Sequence, residues 1–337
     1  MSFSIRNRRY TGSKLKITDW INNIIKENCK GCNSFFDVFA GTGIVTASNI
    51  NNYECFYIND FLFSNNIIYK AFLMNSEYDE KKINEYFILF SNLSENKIRD
   101  NYISKNFANK YFTLNDSKKI GFIREYIEKN KKDLNEKEYS ILIASLLYSL
   151  DRCANTCGHY DAYIKKPIKK DSFKFELIEP MNVSKKSINI YREDANLLAP
   201  KINADIAYID PPYSSRQYSR FYHVLENVTK WEKPELYGTA LKPKEENMSE
   251  YCKSKAIDYF TALILSLNVK YIVVSYNNTY NSKSNSSENK MTLEEIKSVL
   301  EKRGNTKIYS TSHPAFNTGK TSLEDHKEIL FVTEVLK

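Results

Sequence analysis

The glycine turn at residues 40–43 narrows the possible folds of this chain more than any other feature. It follows a short run of aromatic and branched residues, Ser34-Phe-Phe-Asp-Val-Phe39, which is typical of a buried parallel strand. Apolar residues from Ile44 to Ile50 then predict a helix, and Cys55-Phe-Tyr-Ile58 predicts a second strand that stops at Asn59-Asp60. Strand, helix and strand in this order form a βαβ unit, which places the two strands in parallel.

Long amphipathic helical segments replace this alternation from about residue 61 to residue 163, and a basic stretch follows to residue 186. Strand patterns return only afterwards, at 187–191, 206–209, 271–275, 307–309 and 329–335. We therefore predict two parts, an α/β domain at 1–61 and 187–337 and a mainly helical insertion at 62–186.

Composition excludes several classes of protein. Of the 337 residues, 42% are hydrophobic and 27% charged, and the 25 Tyr and 19 Phe are too many for a disordered chain. No apolar stretch approaches the roughly 20 residues of a membrane-spanning helix. The charged start, MSFSIRNRRYTGSK, is unlike a signal peptide. We expect a cytoplasmic protein with no membrane partner, whose net charge of +8 favours a polyanionic partner without requiring one.

The cysteines do not indicate a metal site. Cys29-x-x-Cys32 forms one pair, and Cys153, Cys157 and His159 form a second group, but neither has the standard paired spacing of zinc ligands. We expect reduced thiols and no bound metal.

Two features favour a ribose-bearing cofactor at the glycine turn. The missing side chains of Gly41 and Gly43 let a ligand approach the backbone closely. Asp60 ends the next strand, where a carboxylate can accept hydrogen bonds from ribose hydroxyls. Thr46 stands where the dinucleotide fingerprint has its third glycine, which argues against nicotinamide and flavin cofactors.

The strongest chemical signal is Asp210-Pro-Pro-Tyr213. It follows an apolar strand, at the edge where open α/β sheets bind ligands. Pro211 and Pro212 stiffen the backbone and remove two N–H donors, so acceptor oxygens dominate. Such acceptors suit the two hydrogens of an exocyclic amino group, while the Tyr213 ring can stack on a planar base. We expect this segment to hold a flipped-out nucleobase.

Four motifs in this order resemble those of the Dam-type (D12 class) S-adenosylmethionine-dependent DNA adenine-N6 methyltransferases: Tyr10-Thr-Gly-Ser-Lys14, Phe39-Ala-Gly-Thr-Gly43, Asn59-Asp60 and Asp210-Pro-Pro-Tyr213. The chain departs from the family pattern where Tyr10 replaces the usual tryptophan and Ser13 a common glycine. The resemblance covers about half of the chain. It implies a Rossmann-like class I methyltransferase sheet, mostly parallel with one antiparallel strand near the C-terminus, and a helical insertion that recognises target DNA.

The resemblance also implies roles for individual residues. Asp60 is expected to hold the ribose of S-adenosylmethionine, and Asp194 to meet its adenine. The other residues expected at this cofactor are Tyr10, Lys14, Phe39, Gly41 and Gly43, the last three at its methionine part. The residues expected at the target adenine are Asp210, Pro211, Pro212 and Tyr213.

Two further segments are candidates for DNA contact. The segment 151–163 resembles one shared by some bacterial adenine methyltransferases, including type II restriction-modification enzymes, which implies contacts from Asn155, Thr156, His159 and Tyr160. A helix C-cap at Gly158 explains its glycine equally well. The run after Tyr213 predicts that Arg216 and Arg220 hold phosphates and that Tyr218 or Tyr222 fills the gap left by a flipped base.

The favoured function is methylation of adenine N6 in a specific sequence of double-stranded DNA, with a cognate restriction endonuclease as a further partner. Three alternatives stay open: the same reaction on adenine in RNA, a DNA-binding subunit without turnover, and N4 methylation of cytosine. Asp210, rather than serine, before the two prolines argues against cytosine.

Overall fold

The structure is a computed structural model and describes residues 2–94, 97–278, 289–312 and 327–336. The chain divides into two compact units. The helical unit consists of Met1–Thr11, Leu62–Val183 and Ser219–Glu246, and the sheet unit of Gly12–Phe61, Ser184–Tyr218 and Asn247–Lys337.

The strands of the sheet unit, in chain order, are β1 (Ser34–Asp37), β2 (Cys55–Asn59), β3 (Ser187–Tyr191), β4 (Ile206–Ile209), β5 (Tyr271–Asn277), β6 (Gly304–Ser312) and β7 (Lys327–Val335). The helices of the described residues are α1 (Thr18–Asn28), α2 (Ile44–Ser48), α3 (Phe63–Leu73), α4 (Glu80–Ser91), α5 (Tyr102–Phe107), α6 (Leu114–Lys129), α7 (Glu136–Cys153), α8 (Ala195–Leu198), α9 (Tyr218–Phe221), α10 (His223–Lys230), α11 (Ala256–Ser266) and α12 (Leu293–Glu301).

The strands form one seven-stranded sheet in the order β3-β2-β1-β4-β5-β7-β6, counted over the residues described above. Strand β1 pairs in parallel with β2 and β4, β2 with β3, and β4 with β5. Strand β7 is antiparallel to both of its neighbours, β5 and β6. The predicted fold class, a mostly parallel sheet with one antiparallel strand near the C-terminus, is therefore confirmed.

The strand order locates the site before any side chain is considered. The chain leaves β1 toward β2 on one side, and β4 and β5 extend the sheet on the other side. Ligands of open α/β sheets bind at this reversal, outside the carboxyl ends of the strands. Asp37 ends β1 and Asp210 follows β4. All four residues of β4 are buried, as its continuous apolar run predicts for a central parallel strand.

The helical unit is built around α7, whose side chains are buried over most of its 18 residues. It packs against α3, α6 and α10. Asn135 begins it with a capping box, because its side chain accepts from the Glu138 N–H and the Glu138 carboxylate accepts from the Asn135 N–H. None of the helices described here is long and apolar enough to cross a membrane.

Candidate active site

The glycine turn is held by hydrogen bonds from its own backbone and from the next strand. Gly41 and Gly43 have φ angles of 53° and 72°, which side chains disfavour. The Gly43 N–H donates to the Ala40 carbonyl at 2.7 Å, and the Gly41 N–H donates to Asp60 Oδ2 at 2.9 Å. The structure thus brings Asp60, at the end of β2, onto the glycine turn.

Asn59 fixes the neighbouring strand ends relative to one another. Its Nδ2 donates to the Val38 carbonyl at 3.2 Å and to the Glu193 carbonyl at 3.1 Å, and its Oδ1 accepts from the Glu193 N–H at 3.0 Å. One buried amide therefore ties together the segments that follow β1, β2 and β3. A ligand at this edge meets a rigid backbone.

Asp37 is a buried carboxylate that the sequence analysis did not select. Its side chain is 1% exposed, and its Oδ2 accepts from Thr46 Oγ1 at 2.7 Å. Its Oδ1 has no hydrogen-bond partner among the described residues. Burial raises the pKa of Asp37 to about 7; the Thr46 hydroxyl opposes the rise, and Asp210 and Asp60 add to it. A buried acceptor without a donor is the kind of group that a bound ligand completes.

Tyr251 connects Phe39 with the segment that carries Asp194. The Phe39 ring meets the Tyr251 ring edge to face, with centroids 5.0 Å apart. The Tyr251 hydroxyl donates to Asn196 Oδ1 at 2.7 Å, and Asp194 Oδ1 accepts from the Asn196 and Leu197 N–H groups at 2.9 and 3.2 Å. Asp194 is therefore the N-cap of α8, fixed beside the aromatic pair.

Asp210 is held by an ion-pair network that spans the sheet unit. Lys14 Nζ lies 3.0 Å from Asp210 Oδ1 and 3.0 Å from Glu328 Oε1. The Asp210 side chain is 18% exposed, against 6% for Lys14 and 3% for Glu328, so Asp210 is the member that a ligand can reach. Burial, with the Glu328 carboxylate, raises the pKa of Asp210 to about 6, although Lys14 lowers it. Burial alone lowers the pKa of Lys14, but Asp210 and Glu328 raise it well above its usual value.

Tyr213 is fixed by its backbone and by its ring. Its carbonyl accepts from the Lys290 N–H at 2.8 Å, and its ring meets the Tyr276 ring edge to face at 5.9 Å. Its hydroxyl also hydrogen-bonds the Asn277 side chain. Pro211 is buried, whereas Pro212 and Tyr213 are half-buried. The segment after β4 is thus a stiff wall rich in acceptors, with a partly exposed aromatic face.

Comparison with known proteins decides the family. A family model described as D12 class N6 adenine-specific DNA methyltransferase matches residues 10–288, which is most of the chain. The chain belongs to this family. The identification made from the four motifs is therefore confirmed.

Several curated relatives cover most of this chain. It is 34% identical over 320 residues to the Type II methyltransferase M.FokI of Planomicrobium okeanokoites, and 31% identical over 333 residues to the Type II methyltransferase M.NlaIII of Neisseria lactamica. It is 35% identical over 286 residues to the Modification methylase StsI of Streptococcus sanguinis. These alignments cover 89%, 94% and 80% of this chain. The chain spans about half the length of M.FokI and StsI, at 48% and 44%, and 95% of M.NlaIII.

The first motif of this D12-class chain is divided between the two units. Lys14 belongs to the sheet unit and Tyr10 to the helical unit. The Tyr10 ring stacks on Tyr222, with centroids 4.5 Å apart, and the Arg8 guanidinium lies 4.8 Å from the Tyr10 ring centroid. Tyr222 is fully buried, and its hydroxyl accepts from the Thr11 N–H at 2.8 Å. Tyr222 is thus part of the core of the helical unit.

Two of the residues expected to contact DNA are enclosed in the helical unit. Tyr160 is 0% exposed, and its hydroxyl donates to Asp151 Oδ1 at 2.9 Å. Thr156 is also buried, with its Oγ1 3.5 Å from an Arg9 nitrogen. Both side chains therefore lie in the interior of the helical unit, where they stabilise the segment 151–163.

The other two residues of that segment are half-buried. Asn155 Nδ2 donates to the carbonyls of Lys110 and Ile164 at 2.9 and 2.8 Å, and the His159 ring stacks on Phe221 at 4.7 Å. These contacts shape the loop after α7. The DNA contacts expected of all four residues stay predictions.

The basic and aromatic run after Tyr213 is distributed over both units. Arg216 is exposed in the sheet unit, whereas Arg220 of the helical unit donates from Nη1 to the Pro243 carbonyl at 2.6 Å. Gly12 is needed beside Tyr218, because a Cβ atom there would lie 3.0 Å from the Tyr218 hydroxyl oxygen, and its φ is 81°. The roles expected of Arg216, Tyr218 and Arg220 toward DNA stay predictions.

Three residues of this site were not predicted from the sequence: Asp37, Tyr251 and Glu328. Asp37 had a signal, because a carboxylate inside an apolar strand is unusual. Glu328 had a weaker one, since it begins the apolar run of β7. Tyr251 lies in a polar segment without a clear pattern. No group of three or more His, Cys, Asp or Glu side chains in the described residues is arranged to hold a metal ion.

Proposed function

We propose that this chain transfers a methyl group from S-adenosylmethionine to the N6 amino group of an adenine flipped out of a specific DNA duplex sequence. The observation that supports the reaction is the Asp210 carboxylate, which Lys14 holds by one oxygen at the reachable end of β4. Lys14 contacts Oδ1, and 18% of the Asp210 side chain is exposed. The other oxygen is therefore available to an amino group.

The residues around the glycine turn fit S-adenosylmethionine, which carries a cationic sulfonium, an ammonium group and ribose hydroxyls. Asp60 and Asp210 are close enough to Asp37 to raise its pKa, so three carboxylates share this edge. A cationic ligand would offset this concentration of negative charge, and the unpaired Oδ1 of Asp37 would gain a donor.

We assign Asp60 to the ribose, Asp194 with Tyr251 to the adenine, and Phe39, Gly41 and Gly43 to the methionine part. Lys14 would act at the boundary of cofactor and substrate, because its ammonium lies on Asp210. Tyr10 keeps its assignment beside the cofactor from the motif alone.

For this reaction the chain must make the adenine N6 amine, a poor nucleophile, reactive. The lone pair of an adenine amine is delocalised into the ring, and bound S-adenosylmethionine supplies an electrophilic methyl group. Asp210 and the Pro211 carbonyl would each accept one amine hydrogen, which localises the lone pair on nitrogen. Tyr213 would hold the base by stacking. Fixed acceptors of this kind stabilise developing charge without reorganisation, and Asp210 is placed to take the proton that the methylated amine releases.

We further propose that residues 62–186 recognise the DNA sequence, with Asn155 and His159 near its surface, and that Arg216 and Arg220 hold phosphates. Relatives named as modification methylases support a role in a restriction-modification system, with a cognate restriction endonuclease as partner. Such a function places the protein in a bacterial cytoplasm, on DNA.

The proposal is tested by transfer of a labelled methyl group from S-adenosylmethionine to mixed-sequence duplex DNA and, separately, to total RNA. We expect label in N6-methyldeoxyadenosine after digestion to nucleosides. Asp210→Ala should reduce transfer by at least about 1,000-fold while sparing cofactor affinity. The exposed Asp258→Ala on α11 is the matched control and should behave as wild type.

Three outcomes would contradict the proposal. Label confined to RNA would move the same chemistry to another substrate, and label in N4-methylcytosine would change the target base. No label in either nucleic acid, from a folded protein that binds no cofactor, would leave a DNA-binding subunit without turnover.

A further inference from the structure

Glu328 is a buried carboxylate in the network around Asp210 that cannot itself meet a substrate. It lies at the start of β7 and is 3% exposed, behind Lys14. Its Oε1 is 3.0 Å from Lys14 Nζ, so the ammonium is shared by two carboxylates. Two negative groups therefore share one positive group in a largely enclosed place.

Strand β5 also fixes Glu328, at the same carboxylate oxygen that Lys14 contacts. Ser275 Oγ donates to Glu328 Oε1 at 2.7 Å, and Ser275 is 0% exposed. In the antiparallel ladder, Glu328 lies opposite Asn277, whose side chain hydrogen-bonds the Tyr213 hydroxyl. Strands β5 and β7 thus help to position both Lys14 and the Tyr213 side chain.

Stability alone does not account for this arrangement. A buried ion pair gives little net stability after the cost of desolvation, and a second carboxylate beside one ammonium adds to that cost. Without Glu328, Lys14 would be free to engage both oxygens of Asp210 or to turn away. With Glu328 in place, the ammonium is drawn from two directions and rests on Oδ1 of Asp210.

We propose that Glu328 is a positioning residue for methyl transfer: it anchors Lys14 so that the ammonium occupies Oδ1 of Asp210 and the second oxygen is left for the target amino group. This inference rests on the proposed function. Nothing in the four motifs of the family resemblance includes Glu328.

The network makes a signed prediction for Asp210. The groups that influence its ionisation are Lys14, Glu328 and, from neighbouring strands and loops, Tyr208, Tyr213 and Asp37. Removing the negative charge of Glu328 lowers the pKa of Asp210, and removing the positive charge of Lys14 raises it. Two substitutions in one network should therefore move the same pKa in opposite directions.

The experiment compares Glu328→Gln and Lys14→Met with wild type in the full-length protein. The first readout is kcat for methyl transfer to duplex DNA between pH 5 and pH 9, with KM for S-adenosylmethionine measured alongside. We expect Glu328→Gln to lower kcat at pH 8 by about 10- to 100-fold, with KM little changed. The acidic limb of its kcat–pH profile should move to lower pH, and the acidic limb of the Lys14→Met profile should move to higher pH. Glu334→Gln, an exposed glutamate on the same strand, is the control.

The second readout does not depend on turnover. Carbon-13 NMR of aspartate carboxyls, assigned with Asp210→Asn, follows the titration of Asp210 directly. The pKa should fall in Glu328→Gln and rise in Lys14→Met. If wild type fails to methylate DNA, the proposed function fails, while this titration still decides the role of Glu328.

The inference is overturned if folded Glu328→Gln has the same kcat, the same acidic limb of the pH profile and the same Asp210 titration as wild type. A lower melting temperature of the variant would not change this conclusion. If Glu328→Gln does not fold, Ser275→Ala replaces it, because it removes the 2.7 Å hydrogen bond that orients the carboxylate and leaves the charge of Glu328 in place. It should lower kcat by about 3- to 10-fold, with KM unchanged. An unaltered kcat in this variant would equally reject the inference.

Discussion

The two units place buried charges in different surroundings. In the helical unit, Arg124 is 0% exposed and donates to the Val228 and Thr229 carbonyls at 2.6 and 3.2 Å, near the end of α10. It also pairs with Glu128 at 2.8 Å and with the Tyr139 hydroxyl at 3.0 Å. Every nitrogen of this guanidinium has a partner, so the residue fastens α10 to α6.

Lys137 repeats this pattern at another helix end. Its Nζ donates to the Met74 carbonyl at 2.9 Å and to the Lys70 carbonyl at 3.3 Å, where α3 terminates. A cation near the C-terminus of a helix satisfies carbonyls that have no partner within the helix. Burial lowers the pKa of Lys137 to about 8.

In the sheet unit, two buried carboxylates at the carboxyl ends of parallel strands, Asp37 and Asp210, are incompletely partnered. Asp37 has an oxygen without a donor, and Asp210 shares one ammonium with Glu328. A fully partnered buried charge such as Arg124 therefore supports the fold, whereas an incompletely partnered carboxylate at the carboxyl ends of the strands, such as Asp37, is available to a ligand. The predictions below test that distinction.

The largest effect is expected in the helical unit, from Arg124→Met. It removes the Arg124 donors of the Val228 and Thr229 carbonyls and leaves the Glu128 carboxylate with the Tyr139 hydroxyl but without the guanidinium, so the free energy of unfolding should fall by about 3–5 kcal/mol. Urea unfolding measures the loss, with the exposed Lys129→Met of the same helix as control. Cofactor affinity of the folded variant should match wild type; a large loss of affinity without a loss of stability would break the distinction.

The next effect is expected at Asp37 in the sheet unit. Because its pKa is about 7 in the folded protein and near 4 when unfolded, the folded state binds an extra proton in between, and wild-type stability falls as pH rises through this range. Asp37→Asn should be free of that loss, and so be about 2–4 kcal/mol more stable than wild type at pH 8 without cofactor.

The same substitution should weaken cofactor binding. Wild-type affinity for S-adenosylmethionine should rise as pH increases through about 7, as Asp37 ionises, and the affinity of Asp37→Asn should not. Titration calorimetry at pH 6 and pH 8 measures both. Parallel curves of unfolding free energy for the two proteins between pH 4 and pH 8 would show that the pKa of Asp37 is not raised. Asp37 would then not be an incompletely partnered buried charge.

A smaller effect is expected from Asp60→Asn. The amide oxygen can still accept the Gly41 N–H, so the melting temperature should change little. Loss of the charge should weaken S-adenosylmethionine binding by about 10-fold, or 1.4 kcal/mol. Isothermal calorimetry measures it against Asp258→Asn. An intact affinity would remove Asp60 from the assigned ribose contact.

The smallest effect is expected from Lys137→Met, which should change the free energy of unfolding by about 1 kcal/mol or less at pH 7. The substitution removes two hydrogen bonds, but it also removes the cost of burying the ammonium group. Since the folded pKa is about 8 and the unfolded one higher, the unfolded chain binds more protons above pH 8. Wild-type stability should therefore rise from pH 8 to pH 10, and the variant should lack that rise. Chemical unfolding at both pH values checks the sign.

The sheet could be predicted because its strands are short apolar runs. The pattern located β3 and β4 with their observed bounds, and β5, β6 and β7 only proved longer than their apolar centres. The helix α7 is also recognisable from the sequence, since its apolar residues recur over 18 positions. Helices α5 and α11 are not, because one is short and the other is apolar on several faces.

The site could be predicted only where it follows from strand ends. Parallel strands bring their carboxyl ends to one edge, so Asp60 and Asp210 could be placed without knowing any contact. The pairing of Lys14 with Glu328 depends on the antiparallel register of β7 against β5, which no local pattern specifies. Burial of Tyr160 likewise depends on packing around Asp151 that the chain reveals only when folded.

The position of β7 between β5 and β6 has a consequence for when the proposed active site is completed during folding. Residues 14 and 328 must meet, although almost the whole sequence separates them. A ribosome that has released the first 312 residues has supplied Lys14, Asp60 and Asp210 but not the strand that enters between two others. Contacts so distant along the chain form slowly. We expect nascent and partly folded chains to leave DNA unmodified. The proposed methyl-transfer activity would then appear only in one late step of folding.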